Sequence, residues 1–187
     1  MTNRAIIFAN GSLPDPEPAR RLIRPGDILL AADGGTRHAL VLGLTPSVVI
    51  GDLDSLNEAD RQRLENAGTR LLQRPRDKNE TDLELALYYA LEQGFTRVVV
   101  IAALGGRLDQ TLANLALLTD PRLSAIDIRL DDGLEEAWFT RREAQVCGAR
   151  GDLLSLIPWG GAVAGVRTQG LRWPLDGETL YPYKTRG

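Results

Sequence analysis

Val98-Val99-Val100-Ile101-Ala102 is a run of apolar residues without a single polar interruption, flanked by Arg97 and by the loop that begins at Leu104. A strand with one wet face alternates apolar and polar residues. A continuous run of this length suits a strand covered on both faces, as in a parallel sheet. The pattern recurs at Ala5-Ile6-Ile7-Phe8-Ala9, at Asp27-Ile28-Leu29-Leu30-Ala31-Ala32, at Ser47-Val48-Val49-Ile50 and, more weakly, at Thr69-Arg70-Leu71-Leu72.

Helical patterns separate these runs. Thr36 to Leu42 is short, and Glu58 to Ala67 is polar and expected to lie on the surface. In Thr81 to Gln93 the residues Leu83, Leu87, Ala90 and Leu91 share one face, and Gly94 supplies a stop. Gln110 to Leu118 carries Leu112, Leu115, Ala116 and Leu118. Alternation of strand and helix predicts an α/β fold with a mostly parallel sheet, flanking helices and right-handed crossovers. The Pro14-Asp15-Pro16 segment, followed by Pro18, reads as an extended surface loop.

Beyond Pro121 helical periodicity fades. Ile126 to Leu130, Glu136 to Thr140, Asp152 to Ile157 and Ala162 to Thr168 read as strands punctuated by glycines, which predicts an all-β segment. The change of style falls between Ala125 and Arg142, giving an expected division into residues 1–125 and 126–187. A chain of 187 residues accommodates one medium and one small domain.

Net charge is −3, so no general affinity for nucleic acid or an anionic membrane is expected. No apolar run approaches the length of a membrane-spanning helix, and the apolar stretch after Arg4 is too short for a signal peptide. The single cysteine, Cys147, excludes an intramolecular disulfide; a reducing, cytoplasmic setting is the expectation, with Cys147 packed and inert.

In a parallel sheet, ligands bind beyond the carboxyl ends of the strands. The residues that follow the expected strands are Asn10-Gly11-Ser12, Asp33-Gly34-Gly35, Gly51-Asp52-Leu53-Asp54-Ser55 and Leu104-Gly105-Gly106-Arg107-Leu108-Asp109. Small and acidic residues therefore collect along one edge. Asp52 and Asp54, two residues apart in an extended segment, point the same way and reach one hard cation; Mg²⁺ needs only one or two carboxylates beside water and phosphate oxygens. An Asx-turn leading into the next helix explains the same two residues, and the other acidic strand ends favour the metal. Thr81-Asp82-x-Glu84 opens the long helix, so Thr81 or Asp82 is its N-cap, or Asp82 is a third acid in the crevice. The preceding Arg74-Pro75-Arg76-Asp77-Lys78-Asn79 is either a phosphate-facing loop or an exposed one.

Gly105-Gly106-Arg107 stands between a strand and a helix. Its glycines permit close backbone approach, the helix N-terminus offers free N–H groups, and Arg107 adds a bidentate fork for phosphate. Neither a Gly-x₄-Gly-Lys-Ser/Thr loop nor a Gly-x-Gly-x-x-Gly fingerprint is present. His38, the only histidine, is expected at a surface or helix position, and one histidine with one cysteine argues against zinc. These features describe a Mg²⁺-dependent, phosphate-handling α/β enzyme without naming its substrate.

Ala32-Asp33-Gly34-Gly35, Gly51-Asp52-Leu53-Asp54-Ser55, Lys78-Asn79-Glu80-Thr81-Asp82-Leu83-Glu84 and Gly105-Gly106-Arg107-Leu108-Asp109-Gln110-x-x-x-Asn114 occur in this order. Together with Ser155-Leu156-Ile157-Pro158 and Gly170-Leu171-Arg172-Trp173-Pro174-Leu175, the set resembles the thiamine pyrophosphokinase family, across nearly the whole chain. The resemblance implies a Rossmann-like catalytic domain, a C-terminal β-sandwich and a homodimer. It implies pyrophosphate transfer from ATP to thiamine, giving thiamine diphosphate and AMP. Asp52, Asp54 and Asp82 would hold Mg²⁺; Asp33, Gly34, Gly35, Thr81, Gly105, Gly106 and Arg107 would line the nucleotide and phosphate site; Asp109 is the candidate to orient the thiamine hydroxyl or accept its proton.

The chain departs from the family's pattern in three places. Asn79 stands where the family has the first Asp of Lys-Asp-x-Thr-Asp, with Asp77 as a possible substitute; Gln110 stands where it has His. The chain ends at Thr185-Arg186-Gly187, where the family continues into a Ser-Asn segment of the thiamine site and closing strands, so the β domain is expected to be C-terminally shortened with an exposed sheet edge. These departures leave a second expectation, a relative that binds Mg-ATP without turning over thiamine.

Overall fold

The computed structural model describes residues 3–184; Thr185-Arg186-Gly187, on which the expectation of a shortened end rests, lie outside them. The chain forms two compact units, Met1–Arg142 and Glu143–Gly187.

The first unit is built on β1 (Arg4–Phe8), β2 (Ile28–Ala32), β3 (Val48–Gly51), β4 (Arg70–Gln73), β5 (Arg97–Ile101), β6 (Asp127–Asp131) and β7 (Glu136–Ala137). Their order across the sheet is β4-β3-β2-β1-β5-β6-β7, parallel throughout except for β7. The helices are α1 (Glu17–Arg20), α2 (Thr36–Val41), α3 (Glu58–Asn66), α4 (Asp82–Glu92) and α5 (Leu108–Leu117).

The uninterrupted apolar runs are strands because both faces of the sheet are covered. Along β1, Ala5 and Ile7 join a core with Leu83, Ala86, Leu87 and Ala90 of α4, while Ile6 and Phe8 join a second core with Ala39 and Leu42 around α2 and Leu64 of α3. Truncating a fully buried anchor such as Leu87 to Ala costs about 2–5 kcal/mol, the lost transfer energy plus the cavity left behind. At the opposite edge from the acidic loops, the Arg4 guanidinium pairs with Asp27 at 2.9 Å and donates to the Leu22 carbonyl, pinning β1 to the segment that enters β2.

Several expectations are corrected. Ile126–Leu130 was grouped with the β-rich segment, yet β6 pairs in parallel with β5 and belongs to the first unit, whose boundary falls after Arg142. Of Glu136–Thr140 only Glu136–Ala137 pairs, antiparallel to β6; beyond it the Arg129 guanidinium lies over the Trp138 ring at 4.6 Å. The proline-rich loop holds a short helix, α1, with Ala19 fully buried, because a proline is tolerated in a first helical turn. Helix α5 starts two residues earlier than its pattern suggests and leaves Leu112 exposed.

In the second unit, β8 (Val163–Arg167) pairs antiparallel with β9 (Asp176–Leu180). Asp152–Ile157 is irregular although its apolar content reads as a strand; no described neighbour supplies the ladder that would fix it, and Leu153 is fully exposed. Strand β9 was not foreseen, because Asp176-Gly177-Glu178 has none of the usual strand formers. Cys147 is exposed, against the expectation of a packed thiol. No helix among the described residues is long and apolar enough to cross a membrane.

Candidate active site

The chain leaves β1 for β2, steps outward to β4, then returns to place β5 on the other side of β1. Strand order therefore reverses between β1 and β5, the kind of position where open α/β sheets bind ligands beyond the strand ends. The loop after β1 and the loop after β5 meet there. A Cβ on Gly105 would sit 3.4 Å from Ser12 Cβ, and one on Gly106 would sit 3.6 Å from the Ser12 amide nitrogen. A side chain on Gly11 would strike the Ala102 carbonyl, so only glycine lets these two loops close.

Among the described residues, three non-glycine residues have positive φ: Asp33 (39°), Leu53 (65°) and Ala102 (59°). They lie just past the ends of β2, β3 and β5, and left-handed backbone at such residues is a strain that surrounding structure must hold. At Asp33 it turns the chain into the 3₁₀ turn Asp33–Gly35 and on into α2. Gly34 packs so tightly that a Cβ would come within 2.5 Å of the Asn10 side chain, and one on Gly35 would strike the Phe8 carbonyl. The turn buries the Asp33 carboxylate. Burial raises its pKa; the neighbouring Asp82 and Asp52 charges raise it further, while the Ser55 side chain pulls the other way.

Left-handed Leu53 means that Gly51–Ser55 is not extended, contrary to the expectation. The Asp54 N–H donates to Asp52 Oδ1 at 3.1 Å, an Asx-turn, and the Leu53 N–H donates to Asp33 Oδ1 at 3.1 Å. The turn and the metal readings thus describe the same fold: the turn orients Asp52 and leaves carboxylate oxygens for a ligand. One oxygen from each of Asp33, Asp52 and Asp54 lies within 4.8 Å of the others. Three carboxylates this close, one of them buried, form an all-oxygen set of the kind that suits a hard divalent ion. Asp77 is exposed and stands outside this group.

Thr81 is the N-cap of α4, its Oγ1 accepting the Glu84 N–H at 3.1 Å. That leaves Asp82 free to face the crevice. Gly51 makes room for it: a Cβ there would come within 2.6 Å of Asp33 Cβ and 3.2 Å of Asp82 Cγ. Asp82 is not in the three-acid group. Its Oδ1 lies 3.0 Å from Lys78 Nζ, an ion pair whose alignment falls short of a hydrogen bond, so this buried oxygen has no hydrogen-bond donor. Arg76 stands 3.5 Å from Asp54, both largely in solvent.

Beyond β5, Gly105, Gly106 and Arg107 are exposed ahead of α5. Arg107 closes a fork on Asp109, Nη2 to Oδ2 at 2.5 Å and Nε to Oδ1 at 3.1 Å. This pairing holds the Asp109 carboxyl below its ordinary range. Asn114 donates to the Ala103 carbonyl at 2.8 Å and ties α5 to the loop that carries the glycines. His38 is half-buried and bonds the Gly11 carbonyl through Nε2 at 3.0 Å; burial lowers its pKa, so the neutral ring braces the loop after β1.

The sequence-derived site residues therefore fall into two clusters: Asp33, Asp52, Asp54 and Asp82 past β2, β3 and at the start of α4, and Gly105, Gly106, Arg107 and Asp109 past β5. Asp33, which the resemblance puts among the nucleotide-lining residues, also brings a carboxylate oxygen within 4.8 Å of Asp52 and Asp54. Its three-residue turn with two glycines was the available signal. Lys78 lies in the polar Arg74–Asn79 segment, and nothing in its spacing marks it as the partner of Asp82.

Known proteins are similar to this chain over the region that holds these residues. Residues 19–130 match the family model of the thiamin pyrophosphokinase catalytic domain, and residues 140–186 match that of its vitamin B1 binding domain. The thiamine pyrophosphokinase of Bacillus subtilis (strain 168) is 38% identical over 103 residues, covering 55% of this chain and 48% of that protein, about half its length. Thiamine pyrophosphokinase 1 of Arabidopsis thaliana is 29% identical over 199 residues, covering 94% of this chain and 74% of that one. The crystal structure of thiamine pyrophosphokinase from Bacillus subtilis superposes with a TM-score of 0.84 at 27% identity, over 97% of this chain and 86% of that chain. With the catalytic model alone spanning more than half of the sequence and containing every acid of the crevice, the chain belongs to the thiamin pyrophosphokinase family.

Proposed function

We propose that this chain transfers the pyrophosphoryl group of ATP to the hydroxyl of thiamine, releasing AMP, with Mg²⁺ held by Asp33, Asp52 and Asp54 and with Asp82 as a further ligand. The observation that carries this reading is the convergence of three carboxylates at the ends of β2 and β3 in a member of this family. Mg²⁺ bound there would neutralise phosphate charge.

The chain's own residues supply positioning. Gly105 and Gly106 let phosphate approach the backbone ahead of α5, and Arg107, with Nε and Nη2 paired to Asp109, presents its remaining N–H groups to a phosphoryl oxygen. Asp109, held ionised beside Arg107, accepts or orients the thiamine hydroxyl proton. Asp33–Gly35 and Thr81 line the nucleotide side. Catalysis of this kind depends chiefly on alignment and charge neutralisation. Residues 1–142 are read as the ATP and metal unit and residues 143–187 as the thiamine and dimer unit. Similarity of residues 140–186 to a vitamin B1 binding domain speaks against a relative that binds nucleotide alone. Exposed Leu108 and Leu112 on α5, and Leu153, Ile157 and Trp173 in the second unit, support a homodimer that covers them.

The test is AMP formation from Mg-ATP with and without thiamine. Thiamine-dependent AMP with thiamine diphosphate as co-product is the expected result; ADP as product, or AMP independent of thiamine, overturns the reading.

A further inference from the structure

Lys78 is the best-sheltered cation near the acid cluster. Its side chain is 13% exposed and that of Asp82 28%, against 85% and 52% for the Arg76–Asp54 pair. Its ammonium is fixed from two sides, 3.0 Å from Asp82 Oδ1 and donating to the Pro75 carbonyl at 3.1 Å. Asp82 Oδ1 has no hydrogen-bond donor, so the ammonium is the charge that stabilises it. The three oxygens that converge elsewhere belong to Asp33, Asp52 and Asp54, while Asp82, close enough to raise the Asp33 pKa, stands outside them.

We propose that Lys78 is a resident counter-ion that keeps Asp82 out of the metal-binding set, so that a divalent cation must displace its ammonium to recruit Asp82. The inference rests on the metal reading above. A dication beside the three aspartates and an ammonium on the fourth repel one another, with the Lys78 side chain only 13% exposed and so incompletely screened by solvent. Displacement has somewhere to go. Lys78 also lines a pocket with Arg74, Glu80, Tyr88, Tyr89 and Glu92, whose two glutamates can receive the ammonium. Asp82 thereby avoids standing as an uncompensated carboxylate in the nucleotide-free protein, and metal binding is weaker than four carboxylates alone would make it.

The experiment is titration of nucleotide-free protein with Mn²⁺, reading free Mn²⁺ by electron paramagnetic resonance, with thermal melting as the check on folding. Lys78→Met is expected to bind Mn²⁺ about fivefold more tightly than the parent, and Lys78→Gln similarly should either variant melt early. The gain should disappear in the Asp82→Asn background, since the competition runs through that carboxylate. Arg76→Ala should change the affinity less than twofold, because solvent already screens its pair. Asp52→Asn reports on the metal site itself: unchanged binding there overturns the metal reading and this inference together. Binding lost in Asp52→Asn but unchanged or weakened in Lys78→Met, or a gain that persists beside Asp82→Asn, overturns this inference alone.

Discussion

The backbone N–H of Leu53 donates to Asp33 Oδ1 at 3.1 Å, joining the ends of two adjacent strands through residues that both hold left-handed backbone. The bond holds the Asp33 carboxylate in a buried position beside Asp52, where an unpaired negative charge is unfavourable without a cation.

The metal-free fold should therefore be more stable without the Asp33 charge. The pKa of Asp33 is raised in the folded protein, chiefly by burial, so its contribution is most favourable below the unfolded value of about 3.9 and is lost as pH rises through the folded value. Asp33→Asn keeps an oxygen for the Leu53 N–H and removes the charge. Calorimetry should show a higher Tm near pH 7, by about 2–4 °C for each kcal/mol gained in a chain of this size, with the difference vanishing below about pH 4. Mn²⁺ binding should fall in the same variant. A lower Tm at neutral pH would contradict the account.

Gly51 is the floor beneath two acids. Gly51→Ala puts a methyl group against Asp33 Cβ and Asp82 Cγ, and overpacking of this kind costs about 1–3 kcal/mol. Chemical denaturation should register the loss, and metal affinity should drop with it, since neither carboxylate can keep its place. Full stability with full metal binding would mean that the crevice relaxes freely.

Asp109→Asn should lower kcat by about 100-fold or more, the usual scale for a group that handles a proton, with KM for ATP changed little. Its pairing with Arg107 keeps the carboxyl below its ordinary range, so the acid limb of kcat should lie at low pH in the parent and move upward in Arg107→Ala. Steady-state kinetics across pH decides it; an Asp109→Asn enzyme with undiminished kcat removes Asp109 from the mechanism.

Tyr88 Oη lies 2.9 Å from Glu84 Oε1 and 2.7 Å from Asp120 Oδ2, so one hydroxyl proton serves two carboxylates. Arg122 balances the charge, 2.8 Å from Asp120 and stacked over the Tyr88 ring at 4.6 Å. The Arg122 hydrogen bond, with help from Tyr88, pushes the Asp120 pKa down to about 2. A depressed carboxyl contributes stability above its unfolded value and loses it as pH falls through the folded one. The parent should thus lose stability between about pH 4 and pH 2 more steeply than Asp120→Asn. Tyr88→Phe should cost about 1–3 kcal/mol at pH 7 by removing a bond to a charged group. Parallel acid-unfolding curves for parent and Asp120→Asn would rule the network out.

The first unit was legible because its information is local. Val98–Ile101 and Ala5–Phe8 read as strands covered on both faces, and the residues just past them fall at one edge of a parallel sheet whatever the strand order. Asp52 and Asp54 past β3, and Gly105, Gly106 and Arg107 past β5, lie at that edge as the pattern implies. Thr81 as the cap of α4 was equally local, since a cap is decided by residues three apart. The second unit was less legible. Asp152–Ile157 has strand composition without a pairing partner, and β9 has a pairing partner without strand composition, because a ladder is fixed by its neighbour more than by its own residues.

By itself, then, the sequence determined the alternation of strands and helices from β2 to α5, the edge that gathers acids and glycines, and the family. Tertiary structure decided which acids meet. Asp33 joins Asp52 and Asp54 because β2 and β3 are neighbours and a strained turn buries its carboxylate, while Asp82 stands outside them, paired with Lys78. Distances between side chains on separate strands depend on register, turn geometry and the counter-charge that folding brings along, and none of these is written in the spacing of residues along the chain.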